Sequence, residues 1–415
     1  MPVVKMKKDE MLKIFGPASV QIISGEVEVL GKKFTESSRF IVHKTRSYIV
    51  RALMDSELDF TLAPNAQIQG VEENDPYLEW FSKAEEIIDK KYKAIVVVGG
   101  VDSGKSSFSI LLSNLALEKG LSPSIIDADV GQADIGPPCF ISMAYPSEQV
   151  IWMRFLKPVK MKFIGDIKPQ NNISNIIYKV KELMETALRD DKKPVIIDTD
   201  GWINDSHALL YKAKLLLELK PDALIVLGKE LYPYFKRFTK LGINIVNLGV
   251  PENKKTRNRE ERRMLRSDKY REFLYDAPLR KVELDDVLVI NMPLFLGEEI
   301  SIDELGVEPK DKVLYASKTC DTLYLVLSSP VRLQGFDQLR TRFNVSRTRT
   351  LISGFENRIY VSIVDQNNDE YPGLIEKIDF INKTIYYRCK FDVKPQIIKF
   401  SKIKLTEDFQ EQLME

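Results

Sequence analysis

The chain has 415 residues, 44% apolar and 29% charged, with a net charge of +1, the composition of an ordinary globular protein of two or three domains. Cys139, Cys320 and Cys389 lie far apart with no CxxC pair, so neither a disulfide framework nor a zinc site is indicated, which suits a reducing cytoplasm. The N-terminal "MPVVKMKKDEMLK" has no signal-peptide core, no segment nears the roughly 20 apolar residues of a membrane span, and the balanced charge leaves any polyanion partner to local attraction.

From Lys13 to Ala63 the pattern is short and β-like, punctuated by Gly16, Gly25 and Gly31. A β-rich N-terminal domain is expected over residues 1–75. The stretch "GVEENDPYLEWFSKAEEIIDKKYK" then turns helical, with Leu78, Phe81, Ile87 and Ile88 able to share a face. Between Ala94 and Tyr275 apolar strands alternate with helical stretches, among them helices near Ile173–Arg189 and Ala208–Leu219. Such alternation implies crossover connections and a mainly parallel sheet. The expected fold class is therefore α/β, with a central domain over 76–288 and a β-rich C-terminal domain over 289–415. In that last region "TLYLVLSSPVRL", "RIYVSIVDQ" and "KTIYYRCKF" alternate with turn-forming pairs.

Within the central domain, "VVVGGVDSGKSS" satisfies G-x-x-x-x-G-K-[ST], with a strand before it and a helix after. Glycines let backbone N–H groups turn inward around an anion, and the helix N-terminus adds positive potential. The loop Gly99, Gly100, Val101, Asp102, Ser103, Gly104, Lys105, Ser106 and Ser107 thus reads as a nucleotide triphosphate cradle. Lys105 would reach the outer phosphates and Ser106 would ligate magnesium.

Two strand ends offer the acidic partner such a loop needs, "IIDADVGQ" and "IIDTDGW", both where parallel sheets open their ligand crevices. Asp127, Asp129 and Gln132 are the first candidates, with Asp127 and Asp129 joining Ser106 at the metal. Asp198 and Asp200 remain the alternative, because alternation along a strand sends both pairs the same way. One carboxylate can serve the metal shell while another takes a proton from an attacking hydroxyl. Trp202 follows at the mouth of the crevice, either as a stacking surface for a base or as a plug between sheet and helix.

Pro251–Arg271 holds nine basic residues against four acidic ones, including Glu252 and Lys254. Arg262 and Arg266 are four apart, so they share a helical face able to clamp phosphoryl oxygens, unless the segment is simply a solvated helix. His43 and His207 are the only histidines and sit in different domains, which argues against histidine-assisted nucleophilic catalysis. "FIGDIKPQNN" lines a substrate path or forms a helix N-cap region.

Together these motifs resemble the polynucleotide 5′-hydroxyl kinases of the Clp/Grc type, which act in tRNA splicing, pre-mRNA 3′-end formation and ribosomal RNA maturation and have archaeal members. "GGVDSGKSS" stands for the phosphate loop, "DADVGQ" for the acidic motif, "TDGW" for the T-x-G-W clasp and "RRMLR" for the R-x-x-x-R lid. Lys168 stands before the proline of "GDIKPQNN" where relatives often carry Ser or Thr. The resemblance implies transfer of the γ-phosphate of ATP, with Mg2+, to the 5′-hydroxyl end of RNA or DNA, and protein partners in RNA processing. It implies that Asp129 activates the hydroxyl, that Trp202 and Thr199 clasp the terminal nucleotide, with Gln132 beside them, and that Arg262 and Arg266 bring lid charge to the moving phosphate. A nucleotide-binding scaffold with little turnover and a small-molecule kinase are the alternatives.

Overall fold

The computed structural model describes residues 3–72, 75–251 and 255–414; Glu252 and Lys254 of the basic segment lie outside the described residues. Two compact units result. The first runs to Gly136 and adds Phe140–Lys160 and Lys168–Leu265; the second holds Pro137–Cys139, Met161–Ile167 and the chain from Arg266 onward.

The first unit opens with two antiparallel sheets. One orders Val3–Met6, Ser56–Leu62, Ala18–Ser24 and Arg39–Val42; the other orders Lys32–Thr35, Glu26–Val29, Ser47–Ala52, Met11–Phe15 and Gln67–Gly70. Alternating strands such as Ala18–Ser24 bury Val20 and Ile22 and leave Gln21 and Ile23 exposed. These strands share one continuous apolar core with Trp80, Phe108, Leu111 and Leu115 of the helices that follow. The fully buried Asn114 reinforces the join. Its Nδ2 donates to the carbonyls of Leu30 and Val150 at 2.7 Å each, and its Oδ1 accepts from Val150 N–H at 3.1 Å. The N-terminal turns are thereby fixed beside the phosphate loop.

The helix Tyr77–Asp89 buries Tyr77, Trp80, Ala84, Ile87 and Ile88. Its inward face differs from the expected one, since Leu78 is 38% exposed and Phe81 only partly covered. Trp80 decides the rotation: its large ring needs burial, and its N–H finds Gly249 O at 2.9 Å.

Six strands of this unit stand in the order Phe140–Ala144, Ser124–Asp127, Val195–Asp198, Ala94–Gly99, Ala223–Leu227 and Asn244–Leu248. All adjacent pairs are parallel except the first, which is antiparallel. The helix Ile173–Arg189 forms over its expected span, and the next one covers Ser206–Leu219. The chain leaves Ala94–Gly99, passes over Val195–Asp198 and continues in Ser124–Asp127. That switch opens a crevice at the carboxyl ends of the strands.

Glu28, 6% exposed, sits between the cross-strand partners Lys33 and Arg51. Burial pushes its carboxyl up to about 7, against the pull of Arg51. The native state therefore keeps a proton that the unfolded chain releases above about pH 4.5, and the associated stability is lost as pH rises through 7. Glu28→Gln is expected to flatten the stability profile between pH 5 and 8, where wild type loses up to about 3 kcal/mol more. Denaturant unfolding of both proteins across that range checks it; parallel profiles would refute it.

In the second unit, a sheet of Leu279–Glu283, Thr384–Arg388, Glu370–Asp379, Ile359–Val364, Ile397–Leu405 and Leu288–Ile290 accompanies a four-stranded sheet of Glu298–Glu299, Val313–Lys318, Thr322–Leu327 and Arg347–Ile352. Two apolar cores serve them, one around Val361, Ile363 and Phe400, the other around Leu323, Leu325 and Leu305.

Candidate active site

The fully buried strand Ala94–Gly99 ends in a loop that enters the helix Lys105–Glu118. Gly104 takes a left-handed φ of 95°, and a Cβ there would lie 2.5 Å from the Trp80 ring. No other residue type fits that position without displacing the ring. Gly99 closes the strand, and the Gly100 carbonyl accepts from Lys105 Nζ at 2.8 Å. Burial pushes the Lys105 ammonium down while Asp198 and Asp129 oppose. Val101, Asp102, Ser103, Gly104, Lys105, Ser106 and Ser107 all line a cavity of about 400 Å³.

Ser106 Oγ donates to Asp198 Oδ2 at 2.7 Å, while Asp198 Oδ1 and Ser103 Oγ are buried without a hydrogen-bond partner. Burial raises the Asp198 carboxyl to about 7 against Lys105 and the Ser106 hydroxyl. A hydroxyl beside a carboxylate with an orphaned oxygen is a hard donor set that fits magnesium. Among the described residues no three His, Cys, Asp or Glu side chains gather as a metal cluster. A cation here would complete its shell with phosphate oxygens and water.

Asp127 is corrected by the structure. It is register-paired with Asp198 on the adjacent parallel strand, but its Oδ2 accepts from Asp134 and Ile135 N–H at 2.7 and 3.0 Å and its Oδ1 from Asp129 N–H at 3.2 Å. Burial first, then Asp198, push it well above the carboxylate range. A carboxyl whose two oxygens are taken by three backbone amides shapes the loop rather than offering a free oxygen to a metal. Asp129 is different. Only its Oδ1 is engaged, by Gly131 and Gln132 N–H at 3.0 and 2.8 Å, and it lines the cavity. Burial and then Asp200 raise it, against those amides and Lys105.

Trp202, Thr199 and Gln132 also line the cavity. The indole is partly exposed and stacks on Tyr211. A Cβ on Gly201 would lie 2.8 to 3.0 Å from Val101, so glycine is what lets this turn lie against the phosphate loop. The Thr199 hydroxyl, however, donates to Val97 O at 2.8 Å and is buried, which ties it to the sheet rather than to a nucleotide. Gln132 Nε2 donates to Gly131 O at 2.8 Å, and its Oε1 is buried without a partner.

The two expected lid arginines part company. Arg262 lines the cavity and donates to Asp102 Oδ2 at 2.9 Å, whereas Arg266 belongs to the second unit and donates from Nε to both oxygens of Glu411 at 2.8 and 3.0 Å. Arg266 does not line the cavity; Arg257 does, with its Nε on Asp102 Oδ1 at 3.0 Å. Although burial opposes, Arg257 and Arg262 hold the Asp102 carboxyl below its usual value. Arg262→Ala is expected to lower kcat about 10²-fold. Arg266→Ala, which breaks the ion pair with Glu411, should change kcat less than about tenfold and lower Tm instead. Steady-state kinetics and melting curves of the two variants check this; equal kcat losses would refute it.

Several cavity residues carried no signal in the sequence. Arg46 comes from the turn before Ser47–Ala52, Tyr48 from that strand, and Tyr77 and Trp80 from the following helix, and nothing in their spacing marks them. Arg46 donates to Asp134 at 2.6 Å, and Tyr48 donates to Ile151 O at 2.9 Å. Asp198 was visible in "IIDTDGW", but only the Ser106 contact distinguishes it from Asp127.

A family profile described as "mRNA cleavage and polyadenylation factor CLP1 P-loop" matches residues 99–276. A polyribonucleotide 5′-hydroxyl-kinase of Methanocaldococcus jannaschii is 32% identical over 333 residues, 76% of this chain and 88% of that protein. One of Pyrococcus furiosus is 28% identical over 331 residues, 78% and 90% of the two chains. Among solved structures, a wild-type Clp1p–Pcf11p complex is similar in fold, with a TM-score of 0.66 and 15% identity over 97% of both chains. With a phosphate loop, a serine–aspartate pair and an arginine segment around one cavity, and a relative matched over most of its length, the chain belongs to the polyribonucleotide 5′-hydroxyl-kinase family.

Proposed function

We propose that the protein transfers the γ-phosphoryl group of ATP to the 5′-hydroxyl end of RNA. The observation that carries this reading is that Lys105, Ser106, Asp129, Trp202 and Arg262 line one cavity. ATP supplies the phosphoryl group and Mg2+ the charge neutralisation for a loose, in-line transfer. The loop amides and Lys105 hold the phosphates, and Ser106 with Asp198 holds the metal. Asp129, raised toward the operating pH, takes the proton from the attacking hydroxyl. Arg257 and Arg262 offset the charge that spreads over the equatorial oxygens, and Trp202 stacks on the terminal base.

DNA ends are a second acceptor in this reading, because Trp202 and Asp129 engage a base and a 5′-hydroxyl, which both nucleic acids carry. A cytoplasmic enzyme is consistent with free Cys139, Cys320 and Cys389 and with the lack, among the described residues, of any helix long and apolar enough to cross a membrane. A protein partner in RNA processing also belongs to the reading, since Clp1p, alike in fold, is found in complex with Pcf11p. Transfer of labelled γ-phosphate to matched RNA, DNA and nucleoside acceptors tests the proposal. Labelled RNA ends are expected. Nucleosides accepting as fast as oligonucleotides would replace it with a small-molecule kinase, and ATP binding without labelled acceptor would replace it with a scaffold.

A further inference from the structure

The loop that carries Trp202 is held from beneath by an unusual set of buried groups. Trp202 N–H donates to Asp200 Oδ1 at 2.9 Å, and Lys212 Nζ donates to Asp200 Oδ2 at 2.8 Å and to Asp200 O at 3.2 Å. Lys212 is completely buried, and its ammonium lies 4.4 Å from the centre of the Tyr211 ring. Tyr211, also completely buried, stacks on the Trp202 indole with centroids 6.1 Å apart and planes 26° from parallel. The indole N–H is taken as well, by Asp205 Oδ2 at 2.7 Å.

A lysine without solvent contact is costly to fold around unless it is paired and hydrogen-bonded. A surface helix such as Ser206–Leu219 needs no such residue for its packing. Here all the polar contacts of Lys212 converge on Asp200, and through it on the backbone of Trp202. The result is an aromatic ring fixed on one face, at its N–H and at its backbone.

We infer that Tyr211, Lys212 and Asp200 are positioning residues that hold the Trp202 indole in a preset orientation, leaving one face for the 5′-terminal base of the acceptor. The inference rests on the acceptor reading of Trp202. A ring already immobilised loses little further freedom when a base lands on it, so the support lowers acceptor KM without touching the donor. Because the indole N–H is committed to Asp205, the ring reads the base by stacking alone. The subsite therefore accepts all four bases.

The test compares Tyr211→Leu, the double variant Asp200→Asn with Lys212→Met, and Trp202→Ala by steady-state kinetics with 5′-hydroxyl oligoribonucleotides and ATP. Tyr211→Leu and the double variant, which leaves no unpaired buried charge, are expected to raise acceptor KM about three- to tenfold. ATP KM should stay within about twofold. Trp202→Ala should raise acceptor KM about tenfold or more. Oligonucleotides differing only in the 5′ base should react within about threefold of one another. If Trp202→Ala raises acceptor KM while neither support variant does, the inference falls and the acceptor reading stands. If Trp202→Ala leaves it unchanged, the acceptor reading falls and the inference with it. A parallel rise in both KM values, or a strong preference for one 5′ base, also overturns the inference.

Discussion

Replacing Lys105 by alanine is expected to lower kcat/KM by about 10³-fold or more, with little change in Tm. Lys105 is the first residue of its helix, and its Nζ reaches back over the loop to Gly100 O at 2.8 Å. Its ammonium opposes the burial-driven rise of the Asp129 and Asp198 carboxyls, both of which line the same cavity. Its loss leaves Asp129 and Asp198 facing the triphosphate without that charge, so ATP binding weakens. The phosphoryl transition state loses a donor in a place that water screens poorly. Phosphate transfer and melting curves for the variant check the outcome. Residual activity within about tenfold of wild type would show that the triphosphate lies elsewhere.

Asp129→Asn is expected to reduce kcat by about 10²- to 10⁴-fold while ATP KM stays within about twofold. The substitution keeps an oxygen for Gly131 and Gln132 N–H, so the loop geometry survives. What disappears is the proton acceptor. Burial, with Asp200 next, raises the Asp129 carboxyl above its usual value, bringing it nearer the working pH as a general base requires. The base must be ionised to act, so wild-type activity should fall as pH drops through that raised value. The variant's small residual rate should lack this acid limb. Kinetics from pH 5 to 9 decide it, and a variant that kept both the rate and the limb would transfer the role to Asp198.

What could be read ahead of the structure was local. The strand, glycine-rich turn and helix that cradle phosphate are contiguous from Val96 to Ser107, and their geometry follows from glycine torsions and hydrogen-bonding rules within a dozen residues. The helix Ile173–Arg189 appeared at its expected bounds because its apolar spacing is regular and its core face is well separated from its polar one. Helix Tyr77–Asp89 was less legible. Choosing between the Leu78 and Trp80 faces depends on Gly104 and Gly249, which lie outside the helix.

The amino-acid sequence by itself determined the fold class, the phosphate loop and the set of carboxylates, aromatics and arginines from which a site could be made. Those features are encoded in neighbouring residues. Only the tertiary structure decided how the members divide. Strand register sets Asp127 opposite Asp198, yet the amides of residues 129, 134 and 135 occupy the first and the Ser106 hydroxyl meets the second. Helix direction and partners send Arg262 to Asp102 and Arg266 to Glu411 although they are one turn apart. Such assignments arise from contacts between segments distant in the chain, and no local periodicity carries that information.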